Sequence, residues 1–335
     1  MRLARWRDGQ AIGEGFVIGD DVVPFPGGHT VASVLTAGLE RARAVYAQVS
    51  VDADGVADVG ARPLADVRLL APVVPPSVRD FVTFEEHVEG VSAGVEGKSD
   101  VPDEWYEAPT FYFTNPHTIL ATGESVRPPV TEKLDFELEL AAVIGGVPGS
   151  DGSNLDADAA AHHIFGYTIM NDWSARDLQA REMKVRLGPC KGKDFGMTLG
   201  PWIVTADELD AYADEDGFLA VRAEVSVNGE VIGEDLVSNM GWPFPELVAY
   251  ASRNSRVLPG DVLGSGTVGN GGCLGELWGR NRGLTPPPLS VGDTVRMVIE
   301  GIGEIENVVG DIVVAPPLPR ARVRSRARSR SDTMQ

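Results

Sequence analysis

Short apolar runs interrupted by glycine and proline dominate the chain from about residue 79 to residue 315. Runs of this length, rich in Val, Ile, Leu and Phe and bounded by turn residues, are typical of β-strands. An Asn-Gly pair at 228–229, between two such runs, predicts a β-hairpin. Helical spacing of apolar residues is rarer and predicts helices over 34–49, 158–163, 174–183 and 245–253. The pattern therefore predicts an α+β fold dominated by strands.

Changes in composition divide the chain into three predicted parts. Residues 1–72 alternate short apolar runs with turn signals and predict a small β-rich N-terminal domain. The proline-rich stretch LLAPVVPPSV at 69–78 predicts an extended crossover into a catalytic domain over 73–318. Residues 319–335 are rich in arginine and low in complexity, which predicts a disordered tail.

Acidic side chains outnumber basic ones by 49 to 29 over the 335 residues, giving a net charge of −20. The tail holds six arginines and one acid, Asp332, so the remaining chain carries 48 acidic against 23 basic side chains. Such an acidic body repels nucleic acid and anionic membranes. The tail has no interleaved aromatic residues, so we expect no nucleic-acid partner, although the role of the tail stays open. A non-enzymatic, metal-stabilised binding protein is the weaker alternative to an enzyme.

The compartment is expected to be the cytoplasm. No apolar run approaches the ~20 residues of a membrane span, and the N-terminus lacks the apolar region of a secretory signal. The two cysteines, Cys190 and Cys273, lie far apart and form no CxxC pair, which excludes a disulfide framework and fits a reducing environment.

Clustered carboxylates carry the first chemical signal. Asp135, Glu137 and Glu139 alternate with apolar residues along one predicted strand and would share one face. Asp172 ends a second apolar run, and Asp80 lies seven residues before His87. The alternative interpretations are a solvated strand face and, for Asp172, a helix cap or turn. With few histidines and no thiol pair, the set suits a hard divalent cation: Mg²⁺, Mn²⁺ or Ca²⁺.

Four longer motifs resemble the fumarylacetoacetate hydrolase (FAH) family: LDFELELAAVIG at 134–145, HIFGYTIMNDWSARDLQ at 163–179, LGPCKGKDFG at 187–196 and GSGTVGNGGCLGEL at 264–277. The resemblance covers about residues 75–316. It implies a mixed β-sandwich roll with a small N-terminal domain, usually as a homodimer. It also implies metal-dependent carbon–carbon bond cleavage or related chemistry on small anionic oxo acids.

The resemblance also implies roles for individual residues. The implied metal ligands are Asp80, Glu137, Glu139 and Asp172, so Asp135 is not a ligand. The implied catalytic residues are His87 as general base, Glu276 as the carboxylate that orients it, Lys193 (rather than Lys191) at the oxyanion, and Arg176 and Gln179. The implied substrate-binding residues are Tyr112 and Thr267. The competing interpretations are a surface charge on a strand for Glu276 and a solvated helix face for Gln179.

Two departures from the family pattern concern the substrate. Fumarylacetoacetase uses an arginine in the lid over its active site to bind the distal carboxylate of the substrate. The corresponding segment of this chain, residues 89–107, has Lys98 as its only basic residue. Acylpyruvase-like relatives have a glutamate three residues after the lid histidine, where this chain has Gly90. We therefore expect a hydrolase acting on a 2,4-dioxo acid such as an acylpyruvate or fumarylacetoacetate, with Mg²⁺ as the first choice of metal. A decarboxylase, isomerase or dehydratase of the same family is the alternative.

Overall fold

The computed structural model describes residues 1–49, 60–96, 100–321 and 323. Lys98 and most of the arginine-rich tail lie outside these residues. The strands are β1 Arg2–Asp8, β2 Ala11–Ile18, β3 Asp21–Pro24, β4 Arg62–Pro63, β5 Arg68–Leu70, β6 Val78–Phe81, β7 Phe111–Thr114, β8 Ile119–Leu120, β9 Ser125–Val126, β10 Leu134–Asp135, β11 Leu138–Ile144, β12 Ile164–Asp172, β13 Ser174–Ala175, β14 Met197–Thr205, β15 Arg222–Val227, β16 Glu230–Leu236, β17 Val262–Gly264, β18 Thr294–Ile299 and β19 Gly303–Val309. The helices are α1 Val31–Ala37, α2 Leu39–Val49, α3 Glu85–Glu96, α4 Ala157–His163, α5 Arg176–Met183, α6 Phe244–Ser252 and α7 Leu274–Asn281.

Two open sheets form the body of the protein. The larger has the order β4-β3-β2-β1-β14-β12-β11-β17-β6-β7, with β5 beside β1 and β8 beside β14. The smaller has the order β16-β15-β18-β19-β9 and packs against β11, β12 and β14. This strand-rich α+β architecture confirms the predicted fold class. The N-terminal strands enter the larger sheet where β1 pairs antiparallel with β14, and the predicted domain boundaries stay predictions.

The central strands are buried on both faces, which explains their continuous apolar runs. Every residue of β11 and β12 is buried, including the polar ones. One large apolar core lies between the two sheets, and a second lies between the larger sheet and helices α1 and α2. The hairpin predicted at Asn228-Gly229 is confirmed, since both residues have positive φ between β15 and β16. No helix within the described ranges is long and apolar enough to cross a membrane.

Two predicted helices require correction. The helix expected over 34–49 is two helices, because Gly38 has a φ of +85° and lies against the carbonyl of Gly146. The helix expected over 174–183 begins at Arg176, since Ser174 and Ala175 form β13 and the Ser174 hydroxyl donates to the carbonyl of Asp172.

The acidic strand is also interrupted. The sequence predicts one unbroken strand from Leu134, but β10 ends at Asp135 and β11 begins at Leu138. The intervening Glu137 is held by neighbours instead, since its backbone N–H donates to the side chain of Asn171 at 3.1 Å. Asp135 and Glu137 still lie on one side of this segment, because Arg176 pairs with both, while Phe136 between them lies in the apolar core. None of the three carboxylates is on a solvated face, because all are buried.

Candidate active site

Four buried carboxylates meet where neighbouring strands of the larger sheet approach one another. Asp80 lies in β6, Glu139 in β11 and Asp172 at the end of β12, while Glu137 lies in the connection that precedes β11. Carboxylate oxygens of Asp80, Glu137 and Asp172 lie within 4.8 Å of one another. The structure therefore brings together the four side chains that the resemblance implies as metal ligands.

Gly264 leaves space for this cluster. It lies in β17 between β11 and β6, opposite Asp80 on one side and Ala141 on the other. A Cβ at this position would lie 2.2 Å from Cε of Met170, 2.5 Å from Oε2 of Glu139 and 3.0 Å from Oδ1 of Asp80. Any other residue would thus displace these side chains, so the glycine allows the two carboxylates to lie this close to β17.

The residues of this cluster fit a hard divalent cation. Oδ1 of Asp80, Oε1 of Glu139 and Oδ1 of Asp172 are buried and have no hydrogen-bond partner among the residues that the structure describes. Burial, together with the charges of neighbouring carboxylates, raises the pKa of Asp80 and Glu139 well above the usual range. A buried carboxylate oxygen without a partner is costly, and a Mg²⁺-like ion with oxygen ligands would satisfy all three.

Lys193 contributes a positive charge to the cluster. Its ammonium donates to Oδ2 of Asp172 at 2.7 Å and also pairs with Glu137. Burial lowers the pKa of this lysine, but the two carboxylates outweigh that effect and raise it, so the ammonium stays charged. Lys191 instead points outwards and pairs with Asp194. The structure thus places Lys193, and not Lys191, at the site.

Asp135 and Arg176 form a buried ion pair beside the metal ligands. The guanidinium of Arg176 pairs with Asp135 and, through Nη1, with Oε1 of Glu137 at 2.7 Å. The same nitrogen lies 3.2 Å from Oε1 of Gln179, which is half-buried. Asp135 also accepts the backbone N–H groups of the first two residues of α7. Asp135 is therefore neither a ligand nor solvated, since it anchors α7 to the site.

The surroundings of His87 differ from those expected. Glu276 does not contact it as an orienting partner: the Glu276 carboxylate pairs with Arg280 at 2.8 Å and accepts from the backbone of Gly271. Nδ1 of His87 instead lies 3.6 Å from Sγ of Cys273. Burial lowers the pKa of His87 to about 4, so the imidazole is neutral at pH 7.

Close packing of α3 against α7 brings these two helices together. A Cβ on Gly90 of α3 would lie 2.4 Å from Cγ of Glu276. The glutamate that acylpyruvase-like relatives have at this position is therefore excluded by the Glu276 side chain. Glu276 itself is buried within α7, which corrects the interpretation of it as a surface charge on a strand.

Of the two predicted substrate-binding residues, Tyr112 contacts the carboxylate cluster. The Tyr112 hydroxyl donates to Asp172, and its ring lies beneath the Lys193 ammonium. Strand alternation sends Tyr112 away from Phe111 and Phe113, whose rings contact each other on the opposite face. Thr267 is buried in the segment that follows β17. The roles of all these residues stay predictions.

Two residues at the site are not predicted from the sequence. Gly264 lies in one of the FAH-like motifs, but only the position of β17 between β11 and β6 explains why this residue has no side chain. Cys273 is the N-cap of α7, and its Sγ accepts the backbone N–H of Glu276 at 3.3 Å. Nothing in the local sequence signals its contact with His87, since 186 residues separate the two.

Comparison with known proteins gives concordant matches. The family model described as "Fumarylacetoacetate (FAA) hydrolase C-terminal" matches residues 77–310. Fumarylacetoacetase of Arabidopsis thaliana is 31% identical over 310 residues, covering 76% of this chain and 73% of the relative. Oxaloacetate tautomerase YisK of Bacillus subtilis (strain 168) is 30% identical over 250 residues, covering 74% of each. The solved fumarylacetoacetate hydrolase of Exiguobacterium antarcticum superposes with a TM-score of 0.64 at 27% identity, covering 93% of this chain and 99% of that structure.

Proposed function

Because this chain belongs to the fumarylacetoacetate hydrolase family and is an enzyme of it, we propose that it hydrolyses a carbon–carbon bond in a 2,4-dioxo acid with the help of a divalent cation. One observation carries the proposal. Within the part of the chain that the structure describes, carboxylate oxygens on Asp80, Glu139 and Asp172 are buried without a hydrogen-bond partner. They belong to one cluster with Glu137, whose carboxylate lies within 4.8 Å of the neutral, buried His87. This arrangement suits a cation beside a base.

Asp80, Glu137, Glu139 and Asp172 would hold the cation. When bound, it would polarise the carboxylate and the adjacent oxo group of the substrate as a Lewis acid. We propose Mg²⁺ as the native ion, with Mn²⁺ or Ca²⁺ as alternatives, because the ligand atoms are all oxygens. Lys193 and Arg176 balance part of the cluster's negative charge, so an anionic substrate can approach.

His87 is the proposed general base. Its imidazole is neutral at pH 7. We assign the ring proton to Nδ1, which faces Sγ of Cys273, and this tautomer leaves Nε2 to take a proton from water. The resulting hydroxide attacks the carbonyl remote from the substrate carboxylate. Lys193 and Gln179 stabilise the oxyanion of the tetrahedral intermediate. The C–C bond then breaks, and the proton returns from His87 to the methylene carbon, which yields a carboxylic acid and a 2-oxo acid.

The substrate is proposed to have a neutral acyl or aryl group at its distal end. The two cations described at the site, Lys193 and Arg176, are both engaged by carboxylates. Lys98, which lies outside the described residues, cannot form the bidentate pair that an arginine forms with a distal carboxylate. An acylpyruvate therefore fits better than fumarylacetoacetate.

Oxaloacetate tautomerisation is the second candidate. It is favoured by the similarity to the tautomerase of Bacillus subtilis, which covers 74% of both chains. A tautomerase also needs a base that moves a proton at the carbon between two carbonyl groups. His87 could serve both reactions, and only hydrolysis consumes water.

A substrate panel tests the proposal. Acylpyruvates, fumarylacetoacetate and oxaloacetate are assayed with Mg²⁺, with Mn²⁺ and with EDTA. We expect kcat/KM to be higher for an acylpyruvate than for fumarylacetoacetate, and no activity in EDTA. His87→Ala should lose roughly two to four orders of magnitude in rate and still bind the metal. Turnover of oxaloacetate alone, by keto–enol conversion, would replace the hydrolase with the second candidate.

The assembly is proposed to be a homodimer, as the family resemblance implies. Light scattering on the protein as it elutes from a size-exclusion column measures its mass directly. A mass of twice the 35.7 kDa chain is expected, and a monomer would contradict it.

A further inference from the structure

A second group of potential metal ligands lies beside the carboxylate cluster. It consists of His87, Glu137 and Cys273, whose ligand atoms all lie within 4.8 Å of one another. All three side chains are buried. The two groups share Glu137, but this one contains nitrogen and sulfur where the first contains only oxygen.

The geometry suits zinc rather than magnesium. Zinc binds thiolate at about 2.3 Å and imidazole at about 2.0–2.1 Å, so two such ligands of a tetrahedral ion are about 3.5–3.6 Å apart. Nδ1 of His87 and Sγ of Cys273 are 3.6 Å apart. Thiolate and imidazole ligands select borderline cations over Mg²⁺ and Ca²⁺. We propose that Cys273, His87 and Glu137 form a Zn²⁺ site, with water as the fourth ligand.

The position of Cys273 favours a metal-bound thiolate. The residue is the N-cap of α7, and its sulfur accepts the backbone N–H of Glu276 at 3.3 Å. The N-terminal end of a helix stabilises negative charge, and a thiol that coordinates zinc loses its proton. Without a metal, burial of Cys273 favours the neutral thiol.

Glu137 is the weaker ligand of the three. Its two oxygens already pair with Arg176 and Lys193, so a zinc ion must compete with Arg176 for Oε1. Cys273 and His87 therefore supply most of the affinity. Glu137 becomes the third ligand when the Arg176 guanidinium releases Oε1, while Arg176 keeps its ion pair with Asp135.

Zinc at this site would inhibit the enzyme. Coordination through Nδ1 leaves the proton of the imidazole on Nε2, so His87 can no longer take a proton from water. This consequence rests on the proposed function, whereas the binding site does not. Because Cys273 and His87 do not belong to the carboxylate cluster, these two ligands would keep the enzyme sensitive to free zinc even when Mg²⁺ is saturating.

Cadmium absorption tests the site without any substrate. Cd²⁺ is added to the full-length protein in excess Mg²⁺, and the thiolate-to-metal charge-transfer band is measured. We expect one equivalent to produce the band in the wild type and in Cys190→Ser, which changes the exposed cysteine. Cys273→Ser keeps a side chain that can cap α7 and should show no band. Zn²⁺ should abolish the wild-type band by competition.

The outcomes separate the site from its alternatives. No band in the wild type, or a band that survives Cys273→Ser and disappears in Cys190→Ser, overturns the proposal. Calorimetry in excess Mg²⁺ gives the zinc affinity. Changes to groups around metal ligands lower such affinities by roughly 10- to 100-fold, and Cys273→Ser, which removes a ligand, should lower the zinc affinity by at least as much. His87→Gln should weaken it as well, with folding checked by circular dichroism.

Inhibition provides the second measurement. In Mg²⁺-saturated enzyme, at least tenfold more zinc should be needed to inhibit Cys273→Ser than to inhibit the wild type or Cys190→Ser. Equal inhibition of all three would mean that zinc acts by replacing Mg²⁺ at the carboxylates, and the proposed site would be wrong. If no substrate of the panel is turned over, the proposed function fails while the cadmium measurement still decides the site.

Discussion

At the scale of single residues, the chemistry depends on how a few buried charges compensate one another. The carboxylates of Glu137 and Asp172 share the ammonium of Lys193. Burial raises the pKa of Glu137, but Lys193 and Arg176 outweigh it and hold that pKa below the usual range. No cation among the described residues pairs with Glu139, and its pKa is raised well above the usual range by burial and by Asp80. The cluster is thus only partly neutralised by the protein's own cations.

Replacing Lys193 with methionine tests its place in the site. Lys193→Met keeps most of the apolar stem and removes the charge, so kcat should fall by roughly 10²- to 10³-fold, as for the loss of one oxyanion donor. Lys191→Met is the matched control, because Lys191 is exposed and pairs with Asp194. Steady-state kinetics on the best substrate of the panel compares the two. Equal losses in both variants would show that the position of the charge does not matter.

At the scale of elements, the site depends on how α7 is joined to the strands. Asp135 at the end of β10 accepts from the backbone of Leu274 and Gly275, each at 2.8 Å, and pairs with Arg176 at the start of α5. One carboxylate therefore connects β10, α5 and α7. Since Cys273 caps α7 and Glu276 lies in its first turn, this connection holds both residues near the metal ligands.

Removal of the Asp135 carboxylate should destabilise the fold. Asp135→Ala leaves the Arg176 guanidinium buried with less compensation, and breaking such a pair costs about 3–5 kcal/mol. Glu234→Ala is the control, since it breaks an exposed pair with Arg222 that contributes about 1 kcal/mol or less. Urea unfolding measures both free energies. A cost for Asp135→Ala no larger than that of the control would contradict the role of Asp135 as an anchor.

At the scale of the whole molecule, cation binding should be coupled to stability. An ion that binds only the folded state at 100 times its Kd adds about 2.7 kcal/mol. After EDTA treatment, Mg²⁺ or Mn²⁺ should therefore raise the Tm of the wild type. Glu137→Ala and Asp172→Ala should reduce both the Tm shift and the affinity for the cation measured by calorimetry. Asp158→Ala, which changes an exposed carboxylate, should retain both. An undiminished shift in both ligand variants would place the cation elsewhere.

The pH dependence of stability should include a contribution from Glu276. Burial raises the pKa of this carboxyl from 4.5 to about 7, against the lowering effects of Arg280 and the Gly271 N–H, while Glu86 and Asp235 raise it further. The folded state thus holds the proton more tightly than the unfolded state. The stabilisation is complete below pH 4.5 and declines as the pH rises to about 7, by roughly 3 kcal/mol in total.

Comparison with Glu276→Gln isolates this contribution. Unfolding free energies are measured at pH 5 and pH 8 for the wild type and for the variant, which cannot ionise. The wild type should lose more stability than the variant between these two values. A wild type that instead gains stability relative to Glu276→Gln would show that the ion pair with Arg280 outweighs burial.

Much of this protein follows from the sequence alone, because the deciding signals are local. The alternation of apolar runs and turn residues predicts a strand-rich α+β fold, and the Asn228-Gly229 pair predicts its hairpin. The family resemblance carried by the motifs around Glu137, Glu139 and Asp172 implies the set of carboxylates, with Asp80, that the fold brings together. These predictions agree with the structure because a strand pattern, a turn and a motif each depend on residues a few positions apart.

The tertiary structure alone decided which neighbours these residues have. Asp135 lies against the N-terminal end of α7, His87 against Cys273, and Glu276 against Arg280 rather than His87. The first two contacts join segments more than a hundred residues apart, so no local periodicity encodes them. Burial then determines the charge states, since the same carboxyl group titrates differently in water and among unpartnered oxygens. The space beside Gly264 likewise exists only once β17 lies between its neighbouring strands.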